Sequence, residues 1–201
     1  MDREDRHITI NSRVPVRVSA YFVGMVALCF TAGAAWRIGL GLAFAALHEA
    51  GHLAAMAALG IRPSSICLTA AGMRIERPPG LRVSFPREIL VALAGPGVSL
   101  LLAGGFFALR LAISNAMLSE FYFLNLGFGL FNLLPVRQLD GGRALYFFLC
   151  RRVNETTAAR AVTCSSLLCL FLAGGGAALL CLRNGFSMSL VIAVLYLAAG
   201  C

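Results

Sequence analysis

Lysine is absent from this 201-residue chain, and charged residues of every kind make up only 13% of it. A soluble domain keeps roughly a quarter of its residues charged, so a water-soluble globular fold is excluded. Acids number nine and histidines three, against seventeen arginines. The arginines supply the +8 net charge but form no polar basic face, which removes nucleic acid as a partner. They stand mainly between long apolar runs, as the positive-inside rule expects of cytoplasmic loops. Cysteine occurs seven times (29, 67, 150, 164, 169, 181 and 201), never as C-x-x-C and mostly within apolar runs. No disulfide framework is expected from that pattern. The N-terminus mixes both signs before a run too long for the apolar core of a signal peptide, which argues against a cleavable leader.

What fills the space is apolar. Hydrophobic residues make up 59% of the chain, and the mean hydropathy is +0.83. Six runs read as membrane spans, at about 18–36, 38–59, 89–109, 121–135, 161–182 and 186–200. A tight turn at Arg37 is expected between the first two, with Tyr21 and Trp36 suited to the interfaces. In the polar segment 1–17, His7-Ile8-Thr9-Ile10 reads as a short strand and Pro15 argues against a helix. His7 reads as a solvated residue rather than a ligand. Residues 60–87 are punctuated by glycine and proline. Within them Ser65–Thr69, Met73–Glu76 and Leu81–Phe85 read as two or three short strands. The third run contains Gly95-Pro96-Gly97, read as a packing kink, and a helix is expected from about Arg143. The fold class is therefore an all-α polytopic membrane protein, one domain over 1–201. It has about six transmembrane helices and a small membrane-associated β-hairpin (60–87) between spans two and three.

Segments 1–17, 60–87 and 136–160 hold 14 of the 17 arginines, while the other turns hold only Arg37, Arg110 and Arg183. That asymmetry predicts an integral, multi-pass protein of a bacterial cytoplasmic membrane with both termini in the cytoplasm.

The second run carries His48-Glu49-Ala50-Gly51-His52. Histidines four residues apart on a helix share one face, so both imidazoles reach the same ion. Glu49 reaches a water on that ion without ligating it, which makes H-E-x-x-H a zinc site with its general base built in. A charged group at mid-bilayer costs ~2.5 kcal/mol or more, so such a cluster inside a span is a functional hypothesis by default. Catalytic zinc takes three protein ligands and leaves one position for water. With His7 set aside, the third ligand must be an acid or a cysteine. Asp140 stands out, because it follows a span broken by Pro135 and precedes Gly141-Gly142, which permit an irregular backbone. Its bland alternative is an ordinary helix N-cap before Arg143. Asn132 has donors suited to a peptide carbonyl, an oxyanion or the orientation of a ligand. The bland alternative there is interhelical hydrogen bonding.

His48-Glu49-Ala50-Gly51-His52, Ala94-Gly95-Pro96 and Asn132-x-x-Pro135-x-x-x-x-Asp140-Gly141-Gly142 together resemble the site-2 protease family of intramembrane zinc metalloproteases. Their order and spacing match over residues 48–142. The plan is similar to the compact, sporulation-type (SpoIVFB-like) branch without a PDZ or CBS domain. Many relatives carry Asn three residues after Gly-Pro, where this chain has Ser99. The resemblance implies that Zn2+ is held by His48, His52 and Asp140 and that Glu49 activates its water. It implies that Asn132 and Pro135 shape the substrate cleft, and that the 60–87 hairpin receives an unwound substrate segment as an added strand. The substrate is then a transmembrane or membrane-associated protein in the bilayer, such as a pro-sigma factor or other membrane-tethered transcription factor. A regulatory membrane partner is in keeping with the branch, and the active site lies toward the cytoplasm. The competing class, a non-proteolytic zinc-binding membrane protein or metal transporter, needs polar groups spread over several spans. Spans one, five and six have almost none. A catalytically dead scaffold would have no need of Glu49.

Overall fold

A computed structural model of the chain describes residues 7–10, 15–19, 35–69, 72–76 and 83–184, with isolated positions at Val23, Pro78, Val194 and Ala198. Its residues pack as two compact units, Met1–Arg82 and Val83–Cys201.

The first unit holds strands β1 (His7–Ile10) and β2 (Val16–Ser19), helix α1 (Ala35–Ala58), and strands β3 (Ser65–Thr69) and β4 (Gly72–Glu76). The four strands form one sheet in the order β1-β2-β3-β4. β1 and β2 pair antiparallel with His7 opposite Ser19, and β3 and β4 pair antiparallel with Ser65 opposite Glu76. The middle pairing, β2 with β3, is parallel, with Val16 opposite Ile66. A parallel neighbour needs a long crossover connection, and the stretch containing α1 supplies it. α1 ends in a left-handed cap. Gly60 has φ +71°, its N–H donates to the Ala57 carbonyl, and the Ile61 N–H donates to the Met56 carbonyl. This is the Schellman arrangement, with Ile61 and Met56 both buried at the turn.

The second unit is helical: α2 (Phe85–Ala112), α3 (Ala116–Asn132), α4 (Asp140–Cys150) and α5 (Glu155–Asn184). α2 opens with Pro86 in its first turn, where a missing N–H costs nothing, and carries Glu88 at its start and Arg110 at its end. Pro96 sits inside this continuous helix. Asn115 caps α3, its Oδ1 accepting from the Met117 N–H at 2.9 Å. The Arg110 guanidinium lies 5.5–5.9 Å from the ring centres of Phe107, Tyr122 and Phe123, tying the α2–α3 corner together. At Gly129, α3 comes so close to Leu100 and Ser99 of α2 that a methyl group would crowd them. Small residues at such crossings are what packing within a bilayer selects.

Burial runs opposite to a soluble fold. Leu101, Phe171 and Leu182 are at least three-quarters exposed, while Asn125 and Ser166 have no accessible surface. An apolar exterior of this kind suits a lipid solvent. Among the described residues, three helices are long and apolar enough to cross a membrane: Gly39–Ala58 of α1, Phe85–Ala112, and Glu155–Arg183 of α5. α3 has 17 residues. At 1.5 Å per residue that covers about 25 Å of a roughly 30 Å hydrocarbon core.

Several expectations shift. Val18 and Ser19 belong to β2, and Ala35–Arg37 are already helical, so no turn falls at Arg37. Nothing in Ala35-Trp36-Arg37 breaks a helix. The rest of the first expected span, apart from Val23, lies outside the described residues, as does the sixth apart from Val194 and Ala198. Val83 and Ser84 form no third strand, because Phe85 opens α2. The fourth run ends as a helix at Asn132, since a proline at 135 disfavours helical geometry in the residue before it. The following helix starts at Asp140 rather than Arg143.

Asn125 is wholly buried on α3. Its Nδ2 donates to the Phe121 carbonyl at 2.9 Å, while its Oδ1 has no hydrogen-bond partner among the described residues. An orphaned buried acceptor costs about 1–3 kcal/mol. Asn125→Leu is therefore expected to leave thermal stability in detergent unchanged or raised. A loss above about 2 kcal/mol would show that the oxygen has a partner after all.

Candidate metal centre

α1 presents one buried row at helical spacing: Phe44, His48, His52 and Met56. The two histidines are 2% and 5% exposed, deep inside an apolar helix. Their Nε2 atoms stand 3.3 Å apart, with ring centres at 5.0 Å and planes at 75°. Two nitrogens bound to one tetrahedral zinc at ~2.0–2.1 Å are separated by about 3.3–3.4 Å. The spacing of the two imidazoles therefore fits a shared ion. Glu49, half-buried, is one residue round from this row.

Asp140 is the first residue of α4 and is 8% exposed. It does not cap that helix. Leu139 occupies the N-cap position and makes no side-chain cap bond. Asp140 thus stands one position inside the helix, and the N-cap alternative is set aside. The seven residues from Leu133 to Leu139 fold tightly back on α4, with the Val136 N–H donating to Leu134 O and the Leu139 N–H to Val136 O, both at 2.8 Å. A Cβ on Gly141 would run into the Leu133 carbonyl, and one on Gly142 into the Val136 carbonyl. Both glycines have ordinary negative-φ geometry, since Gly60 is the one positive-φ glycine among the described residues. Close backbone approach, rather than an irregular backbone, is what requires them. Val136 and Leu139 form a buried apolar pair against Leu134, Cys169 and Leu170.

The loop is also held from α5. Ser165 Oγ donates to the Pro135 carbonyl at 2.7 Å, and the Arg137 N–H donates to Ser166 Oγ at 2.9 Å. Sequence patterning does not single these serines out, because they lie inside an apolar run. Two adjacent hydroxyls in a span were the available signal. Asn132, half-buried at the end of α3, donates through Nδ2 to the Phe128 carbonyl at 2.9 Å. An amide NH2 carries two donors, so that bond leaves capacity for another. Pro135 is half-buried in the loop.

His48, His52 and Asp140 are the described residues whose side chains could together hold a metal ion. Two imidazoles and one carboxylate are a donor set suited to zinc, three ligands that leave the fourth tetrahedral position open.

Apolar helices of membrane length, one of them carrying a buried histidine pair, define the class: an integral membrane protein with a candidate metal centre. Residues 111–173, which include Asp140, match the family model of peptidase family M50. The chain is 32% identical over 143 residues to Rip3 of Mycobacterium tuberculosis, in the Erdman and H37Rv strains alike, a protein named as a zinc metalloprotease. That alignment covers 62% of this chain and 35% of the relative, so the chain spans about a third of the length of these curated relatives. The solved structure of a site-2 protease from Methanocaldococcus jannaschii matches with a TM-score of 0.67 at 20% identity, covering 97% of this chain and 93% of that one. The chain thus shares the fold of that solved structure.

Proposed function

We propose that this chain is an intramembrane zinc metalloendopeptidase, a single domain over 1–201, that hydrolyses peptide bonds in or beside transmembrane segments. The observation that carries the reading is the facing pair His48 and His52 at zinc-ligand separation inside an apolar helix, with Glu49 next to them. The M50 match over the segment containing Asp140, and the zinc metalloprotease naming of Rip3, support it. His48, His52 and Asp140 are the residues that would hold the metal. Bound there, zinc supplies a water with a pKa of roughly 7 and a charge that polarises the scissile carbonyl.

The chain's own residues do the rest. Glu49 takes the proton from the attacking water and hands it to the departing amine nitrogen. The second amide donor of Asn132 steadies the carbonyl oxygen as charge builds on it. The Pro135 turn holds that end of the cleft open to an extended peptide. A helix has no free backbone edge, so the substrate must unwind, and β4, the last strand of its sheet, offers an edge for the unwound segment to pair with. Small or helix-breaking residues near the cut are expected, and sequencing of products that end within stable helix would contradict this. The substrate class is a transmembrane or membrane-associated regulator such as a tethered transcription factor or pro-sigma factor, with a regulatory membrane protein as partner. The arginine asymmetry supports a bacterial cytoplasmic membrane, cytoplasmic termini and a site toward the cytoplasm. Phosphatase fusions at the C-terminus are then inactive.

The test uses the purified chain in liposomes with a single-span substrate. Cleavage is expected to stop on zinc chelation and to return on adding zinc. Cleavage indifferent to chelation would overturn the proposal, as would zinc flux across the vesicle without cleavage.

A further inference from the structure

The loop between α3 and α4 ends in Asp140 and must hold that residue in one place. Apolar contacts of Val136 and Leu139 give it a seat but little directional constraint. Direction comes from hydrogen bonds, and two that cross from another helix come from adjacent serines on α5. Ser165 Oγ donates to Pro135 O at 2.7 Å, and Ser166 Oγ accepts from the Arg137 N–H at 2.9 Å. The two loop groups bracket Val136, which has no accessible surface. Ser166 is equally buried and spends its own proton on the Val162 carbonyl at 2.7 Å, which leaves its lone pairs aimed at the loop. Ser165 also lies 2.9 Å from that carbonyl but is closer to Pro135. On the loop's other side, the backbone presses on Gly141 and Gly142 with no room for a Cβ. The loop is therefore clamped between α5 and the first turn of α4, three residues from Asp140.

We propose that Ser165 and Ser166 are positioning residues for the Asp140 carboxylate, fixing the loop so that this group meets the metal in one orientation. The inference rests on the zinc reading above. Partners that orient a metal ligand typically contribute 10–100-fold to metal affinity. A role in folding alone would lower the melting temperature and leave the affinity of folded protein unchanged.

The experiment measures zinc affinity of the intact chain in detergent, by competition with a fluorescent chelator, and the ligand-field spectrum with Co2+ bound in place of zinc. Ser166→Ala and Ser165→Ala are expected to bind zinc about tenfold more weakly and to shift the Co2+ bands. Ser165→Thr, which keeps a hydroxyl, is expected to retain wild-type affinity. Asp140→Ala is measured beside them. If Asp140→Ala holds zinc as tightly as wild type, the metal-site reading itself fails. If Asp140→Ala loses zinc while both serine variants match wild type in affinity and spectrum, the positioning role alone is overturned. Should Ser166→Ala not fold, Ser165→Ala decides: weaker binding supports the role and unchanged binding refutes it.

Discussion

Glu49→Gln is expected to lower substrate cleavage by about 10²- to 10⁴-fold while the protein keeps its zinc. The reason lies in what the change removes. Gln is nearly the same size as Glu and leaves His48 and His52 untouched on their buried row. It cannot take a proton at neutral pH, however, so the attacking water keeps its proton and the leaving amine receives none. Cleavage and metal content should therefore part company in this variant. The check is product formation from a single-span substrate in liposomes, alongside zinc content of the same preparation. Cleavage at the wild-type rate would remove Glu49 from the chemistry. Zinc lost together with activity would mean that Glu49 is a ligand rather than a base.

The second large effect is structural and comes from one methyl group. Gly142→Ala is expected to destabilise the second unit by about 3 kcal/mol and to abolish zinc binding. The added Cβ would meet the Val136 carbonyl, a backbone atom that cannot step aside as a side chain would. Either the loop lifts off α4 or the helix start unwinds, and both displace Asp140. Gly141→Ala, which meets the Leu133 carbonyl, is expected to behave alike. By contrast Gly104→Ala and Gly105→Ala, with nothing within 4 Å of the new atom, should be silent or slightly stabilising. Thermal unfolding of the four variants in one detergent checks the contrast. Equal melting temperatures would show that the loop is not packed against α4.

The histidine pair was legible because a four-residue spacing has one meaning on a helix, and the surrounding apolar residues leave no other state for that segment. The hairpin strands Ser65–Thr69 and Gly72–Glu76 were nearly legible too, since glycine and proline mark their limits and alternation marks their faces. The sheet's order was not. Pairing β2 in parallel with β3 joins residues about fifty apart, and a four-residue strand such as Val16–Ser19 carries no sequence mark of its distant partner. Asp140 stood out as an acid beside a proline and two glycines, but the purpose of those glycines was misassigned. An irregular backbone and a close backbone approach both call for glycine, and only coordinates separate them. Helix limits at Arg37 and Pro135 slipped by two or three residues because apolar patterning says little about where a span ends. Ser165 and Ser166 are marked only as adjacent hydroxyls in a span: a hydroxyl there can satisfy its own helix, and nothing in the sequence shows that these two reach a loop thirty residues away.

The central claim is that two imidazoles and one carboxylate of this chain share a single zinc ion. X-ray absorption at the zinc edge tests it most directly, on the intact protein purified from membranes and on Asp140→Ala. One zinc per chain, with two imidazole nitrogens at ~2.0–2.1 Å and oxygen completing the shell, is the predicted result, with most of the metal gone from the variant. A chain that carries no zinc, a shell containing sulfur, or a variant as fully loaded as wild type would contradict it.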